Sequence, residues 1–110
     1  MAECIFCRIA RGELDTPLVY QNDRVVVFND IAPQAPTHLL VVPRRHFDSL
    51  KEIDDENLMV QLLTVAREAA RQIGLDEYRL VINTGAQAGQ AVAHLHLHLL
   101  GGRVMGWPPG

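Results

Sequence analysis

Aromatic side chains are scarce in this 110-residue chain, with one Trp, two Tyr and three Phe making up 5% of it. Its core must therefore be built mainly from Val, Ile, Leu and Ala, and an aromatic outside that core asks for a separate explanation. Cysteine is scarcer still. The two present sit as Cys4-Ile5-Phe6-Cys7, too close in sequence for a disulfide to staple a fold. Positive charge is not in excess: ten Lys and Arg against thirteen Asp and Glu leave a net charge of -3. That excludes the electrostatic footprint needed on a nucleic-acid backbone. No apolar run approaches the roughly 18 residues of a membrane helix. The start, Met1-Ala2-Glu3-Cys4, shows neither a basic n-region nor an apolar h-region. Repeats, low-complexity tracts and linker-like stretches are missing too. The expectation is one soluble domain over residues 1–110, with a cytoplasmic location.

Hydrophobic residues make up 48% of the chain and charged residues 21%, an ordinary globular balance. Cys4 to Ala10 suits a short N-terminal helix that stops at Gly12. Leu18 to Gln21 and Arg24 to Asn29 are apolar, β-branched runs joined by Asn22-Asp23, the pattern of a hairpin. Asp30 to Thr37 carries Pro33 and Pro36 and reads as a loop, and His38 to Val42 as a strand stopped by Pro43. One long helix is expected from about Asp55 to Ile73, capped by Asp54, stapled by Ile53 and Leu58, and stopped by Gly74. Leu58, Leu62, Val65, Ala66, Ala69 and Ile73 give it an apolar face; Arg67, Glu68 and Arg71 are its solvated side. Tyr78 to Asn83 and Ala93 to Leu100 supply two more strands around a small Gly-bearing loop, residues 84–90. Few helical crossovers are available. The economical fold is α+β, a five-stranded, mostly antiparallel sheet with the long helix on one face. Its edges need covering, which points to a homodimer, with Met59, Leu63 and Ala70 as a second helix face.

Three of the five histidines alternate with leucines in His94-Leu95-His96-Leu97-His98. On a strand the imidazoles would share one face and Leu95, Leu97 and Leu99 the other. Imidazoles titrate near neutral pH, so such a row suits a nucleophile, a phosphate clamp or a metal ligand set. Two chemistries fit: attack of an imidazole on phosphorus through a covalent intermediate, or a His-x-His metal pair that activates water. Gly85, Gly89 and Gln90, just upstream, favour the first by offering backbone and side-chain N–H groups to an anion. The cysteines lack the preceding strand of a redox motif, leaving zinc ligation or two merely buried or free thiols.

With these residues on the page, the chain resembles the histidine triad superfamily. His94 to Leu100 follows its His-φ-His-φ-His-φ-φ signature, with φ apolar. Ile5-Phe6, the stretch from Asp30 to His38, Pro43-Arg44-Arg45-His46 and Gly89-Gln90 extend the likeness. The ending, with Leu100-Gly101-Gly102-Arg103 and Trp107-Pro108-Pro109-Gly110, is similar to the Hint branch of histidine triad nucleotide-binding proteins. The resemblance implies a homodimer whose sheet continues across the interface. It implies an enzyme cleaving the P–N bond of purine nucleoside 5′-phosphoramidates through a nucleotidyl-histidine. A purine-nucleotide-binding regulatory module with incidental catalysis, or a metal-dependent phosphohydrolase, are the alternatives.

Site roles follow from the same resemblance. His96 corresponds to the nucleophile, His98 and His38 to the phosphate contacts, and His94 to the supporting histidine. Asp30 matches the ribose-binding carboxylate, and Phe6, Ile9, Phe28 and Ile31 the walls around the purine. Asn83, Gly89, Gln90 and Val92 match residues near ribose and phosphate, and Trp107 a tail residue reaching the partner's site. From the residues alone, Phe28 and Ile31 read equally well as core, and Asp30 as a turn former. Cys4, Cys7, His46 and His94 match a structural zinc site of some relatives, with no metal required for catalysis. Two positions depart: Ala91 replaces a common serine beside the leaving group, and Asn29 a common histidine.

Overall fold

Strand propensity and turn chemistry set the sheet. In the computed structural model, which describes residues 4–110, the strands are β1 (Leu18–Gln21), β2 (Val25–Asn29), β3 (Thr37–Pro43), β4 (Tyr78–Val81) and β5 (Leu97–Gly101). They form one sheet in the order β1-β2-β3-β5-β4, and every neighbouring pair is antiparallel. The β1–β2 turn is held by Asn22, whose side-chain oxygen accepts from the N–H groups of Arg24 and Val25, both at 2.9 Å. Helix α1 (Ile5–Ala10) precedes the sheet, and helix α2 (Glu56–Gln72) joins β3 to β4.

The pleat divides the apolar residues between two layers. Val25, Val27, Leu39, Val41, Leu97 and Leu99 face α2, which buries Leu58, Leu62, Val65, Ala66, Ala69 and Ala70 against them. Val26, Phe28, Leu40 and Val42 face the other way, onto Phe6, Ile9 and Ala10 of α1. Burying a side chain such as Leu62 contributes about 1.5–3 kcal/mol, so these layers, and not helix propensity, hold the helices in place. A six-residue helix such as α1 depends on them entirely.

Several boundaries differ from expectation. Asp55, not Asp54, caps α2: its carboxylate accepts from the Leu58 N–H at 3.0 Å and pairs with Arg24, whereas Asp54 points to solvent near Arg45. The shift takes Ile53 and Leu58 out of staple positions, though both still pack into the core. Ile73 is the helix's C-cap and is exposed, because the backbone leaves helical geometry there. Ala70, expected on an outer face with Met59 and Leu63, is buried against the sheet, and Val60 is exposed instead. Strand β4 stops at Val81, short of Asn83, and β5 begins only at Leu97. The reason for the late start lies across the ladder. Val41 pairs with Leu97, but beyond it the carbonyl of Pro43, the last residue of β3, is taken by His94 Nε2, and Leu95 gives its N–H to the Phe47 carbonyl at 2.7 Å. His94 and His96 therefore lie just before the strand, His94 at a bend closed by its N–H to the Val92 carbonyl, and not on the ladder. Alternation survives: Leu95, Leu97 and Leu99 all enter the α2-side core. Among the described residues, no helix is long and apolar enough to cross a membrane.

Candidate functional site

The triad and His38 form a row along β3 and β5, from His38 at the start of β3 to His94 beside Pro43 at its end. His94, His38 and His96 are all buried, a burial that neutral imidazoles with partners tolerate. Each ring's tautomer follows from its partners, since a carbonyl only accepts and a backbone N–H only donates. His96 donates its Nδ1–H to the His94 carbonyl at 2.7 Å, which leaves Nε2 with a free lone pair. His38 accepts the Gln34 N–H at its Nδ1, 3.0 Å away, so its proton sits on Nε2. From there it donates to His98 Nδ1 at 2.9 Å, with the Asp30 carboxylate 3.4 Å from the same Nε2. His98 consequently carries its own proton on Nε2. The His96 and His98 ring centres lie 5.0 Å apart, with the ring planes inclined at 67°.

Burial holds His38 and His98 below the ordinary imidazole value. The neighbouring rings add to this at His98, and Asp30 works against it at both. His94 is pushed down to about 4, again chiefly by burial, against the pull of its bond to the Pro43 carbonyl. All three are neutral near pH 7.

A second cluster adjoins the first. Cys4 Sγ, Cys7 Sγ, His46 Nδ1 and His94 Nδ1 all lie within 4.8 Å of one another. His94 donates Nε2–H to the Pro43 carbonyl at 2.9 Å, and His46 donates Nε2–H to Asp48 at 2.7 Å. Both Nδ1 lone pairs are thus turned to the thiols, at 3.2 Å from Cys4 for His94 and 3.3 Å from Cys7 for His46. Two sulfurs, two imidazole nitrogens and an outer carboxylate on one histidine make a set that fits zinc. Asp30, His38 and His98 also cluster within 4.8 Å, but there the proton of His38 occupies the nitrogen a metal would need. That cluster is built as a hydrogen-bond relay.

The expected pocket residues separate. Phe6, Ile9 and Phe28 are buried in the α1-side core, and the Phe6 ring stands edge-on to His96 at 5.2 Å and to Phe28 at 5.5 Å. They form a floor beneath the imidazoles. Ile31, expected as a wall, is 99% exposed. Asp30 accepts from the Ala32 N–H at 2.9 Å and keeps its other oxygen toward His38. Val92 packs at the margin of the floor, and Asn83 lies beside Gly89. Gly85 and Gly89 hold φ of 90° and 95°, a backbone that suits glycine and shapes the loop before the triad. Gln90 does not face outward as an anion donor: its amide is bonded to three backbone groups of this loop and its neighbour. Ala91 lines a recess of about 340 Å³ with Ser49, Lys51, Thr84 and Ala93. Trp107 is exposed and lies under the guanidinium of Arg79 on β4. Asp48, Gln34 and Pro43 were not foreseen; of these, only His46-Phe47-Asp48 left a readable trace, a carboxylate two residues from a ligand histidine.

The HIT domain family model matches residues 11–105. An uncharacterized HIT-like protein of Synechocystis is 46% identical over the full length of both chains. The crystal structure of a HIT family hydrolase from Legionella pneumophila, 46% identical, superposes with a TM-score of 0.93 and covers 98% of this chain and 100% of its own. A histidine triad nucleotide-binding protein from Candida albicans, 30% identical, has a TM-score of 0.85 and coverages of 96% and 83%. By the extent of the match and the shared architecture, the chain belongs to the HIT domain family.

Proposed function

We propose that this protein is a nucleotidyl hydrolase of the Hint type, acting on purine nucleoside 5′-phosphoramidates. The observation that carries the reading is the His96 ring, whose Nδ1–H is held by the His94 carbonyl so that Nε2 keeps its lone pair, with its centre 5.0 Å from that of a His98 ring that carries its proton on Nε2. In the first step Nε2 of His96 attacks phosphorus. The P–N bond breaks, its electron pair goes to nitrogen, and the departing amine takes a proton from solvent. The nucleotidyl-imidazole is then cationic, and the His94 carbonyl already accepting from Nδ1 stabilises it. The His98 N–H, oriented through His38 and the Gln34 N–H, donates to a phosphoryl oxygen. In the second step water attacks phosphorus, releases a proton, and returns the electron pair to Nε2 as the nucleoside monophosphate leaves.

The Asp30 carboxylate suits a ribose diol, and the purine is taken to lie over the floor of Phe6, Ile9 and Phe28. Cys4, Cys7, His46 and His94 would hold a zinc ion, which would cross-link the N-terminal helix to the sheet and serve stability. The relay tautomer of His38 weighs against a metal-dependent phosphohydrolase using Asp30, His38 and His98. Ala91, with no hydroxyl to offer a leaving group, is the one observation favouring a nucleotide-binding module with incidental turnover. The active species is taken to be a homodimer in which each Trp107 reaches the other subunit's site.

The test is release of AMP from adenosine 5′-phosphoramidate in the presence of chelator. Wild type should turn over and show an acid-quenched nucleotidyl-protein. His96→Ala and His96→Gly should lose more than about a thousandfold in rate while AMP affinity stays within a few-fold. A variant retaining more rate than that, or activity lost on chelation and restored by zinc with the fold unchanged, overturns the reading.

A further inference from the structure

Gln90 is the residue whose position is least explained by substrate contact. Its Nε2 donates to the Asp48 carbonyl at 2.6 Å and to the Val92 carbonyl at 3.0 Å, and its Oε1 accepts the Gly85 N–H at 2.9 Å. Its own backbone N–H donates to the Gly85 carbonyl at 3.1 Å. Both amide hydrogens are thus engaged, which leaves none for a phosphate oxygen.

The three backbone groups belong to different parts of the site. Asp48 carries the carboxylate that accepts from His46. Gly85 begins the loop before the triad, and the Val92 carbonyl also accepts the His94 N–H at 2.9 Å. His94 in turn offers Nδ1 to the thiols and its carbonyl to His96. One side chain therefore ties the segment bearing His46 to the segment bearing His94 and, one hydrogen bond further on, to the orientation of His96.

We propose that Gln90 is a positioning residue: a clasp that couples the Cys4-Cys7-His46-His94 cluster to the ring orientation of His96. Catalytically it rests on the nucleotidyl-transfer reading above, but the coupling itself is a structural claim that can be read without turnover. Removing the amide takes one hydrogen bond from each of the Val92 and Asp48 carbonyls together, so the two clusters loosen as one.

The experiment compares wild type with Gln90→Ala, Gln90→Glu and a surface control, Gln87→Ala, all checked for folding by circular dichroism. Gln90→Glu keeps the size and the acceptor for Gly85 but has no N–H, so it should behave like Gln90→Ala, and it serves if the alanine variant does not fold. Three readouts are taken: imidazole ¹⁵N spectra of His94 and His96, the rate of zinc extraction by a chromogenic chelator, and kcat and KM for adenosine 5′-phosphoramidate with AMP affinity alongside. The clasp predicts shifted His94 and His96 ring signals and faster zinc extraction in both Gln90 variants, with neither change in Gln87→Ala. It further predicts kcat lower by at least tenfold, with KM and AMP affinity within about twofold. Ring signals and extraction rates equal to wild type overturn it, whatever the activity. AMP affinity weakened more than tenfold at unchanged kcat also overturns it, since the amide would then be a ligand. A wild type inactive on the phosphoramidate overturns the proposed function alone, because the spectra still read the clasp.

Discussion

His38→Ala separates a relay from a pocket wall, because every effect expected of it has a definite sign. His38 Nε2–H is the donor on His98 Nδ1, and its own Nδ1 is held by the Gln34 N–H. Removing the ring leaves a partly buried imidazole nitrogen without its donor, a cost of about 1–3 kcal/mol. At about 4 °C per kcal/mol for a domain of this size, the melting temperature should fall by about 4–12 °C. The same substitution removes a neighbour whose charge, when present, disfavours protonation of His98. With ring centres 5.2 Å apart, two charged imidazoles repel by about 3 kcal/mol at an effective dielectric constant of about 20. Water entering the vacated volume lowers the desolvation that chiefly depresses His98. Both changes push the His98 titration upward. Asp30→Asn acts in the opposite sense, since that carboxylate raises both His38 and His98. Loss of the oriented His98 N–H should reduce kcat about a hundredfold. The assay is imidazole NMR titration of His98 in the two variants, with melting curves and turnover alongside. His98 titrating at the same or a lower pH in His38→Ala, or moving the same way in both variants, refutes the relay.

Metal and pH act through the second cluster and the buried rings. Zinc removal, or the double change Cys4→Ser/Cys7→Ser, should lower the melting temperature without abolishing turnover; a metal-free preparation together with an unchanged melting temperature for the double variant would remove the metal node. In metal-stripped protein, the unfolded chain binds protons near pH 6.5 that the folded state refuses, with His94 held down to about 4. Stability present above pH 6.5 should therefore fall as pH drops toward 4, and flat denaturation midpoints across that window contradict the buried neutral rings. Met59, Val60 and Leu63 on α2 and Ile82 beyond β4 are exposed and apolar, and a two-fold pairing that covers them should bury about 2,000 Å² or more in total. Sedimentation should give a dimer at micromolar concentration, and deleting residues 104–110 should change selectivity for the amine more than stability. A fully active monomer contradicts that arrangement.

Periodicity made α2 legible, since its buried positions recur at helical spacing, and β-branched runs made β1 to β3 legible. The misplacements share a cause. Asp54 and Asp55 are equally good caps by type, and only the partner Arg24, from another strand, decides between them. The late start of β5 depends on where β3 runs out, a long-range fact. Cys4, Cys7, His46 and His94 do meet, as do His38 and His98; density made only the triad itself visible, and the partners at His38 and His46 were implied by the resemblance to the histidine triad superfamily. The tautomers were not visible: the groups that assign them are the carbonyls of His94 and Pro43 and the N–H of Gln34, which any residue could have supplied. For Ile31 the sequence leaves two readings open, because an apolar side chain in a Pro-rich loop looks the same whether it lines an open cleft or faces solvent, and its 99% exposure is compatible with either.

The hydrogen bond from His96 Nδ1 to the His94 carbonyl has a consequence for how this chemistry tolerates mutation. In many enzymes a nucleophile is oriented by another side chain, and one substitution erases it. Here the orienting atom is main chain, present whatever residue stands at position 94. A saturation scan of the neighbours of His96 should accordingly find no single orienting partner whose loss mimics loss of His96 itself. On the proposed reading, the readiness of His96 is instead a property of the path the backbone takes into β5, and drift in sequence can reach it only by bending that path.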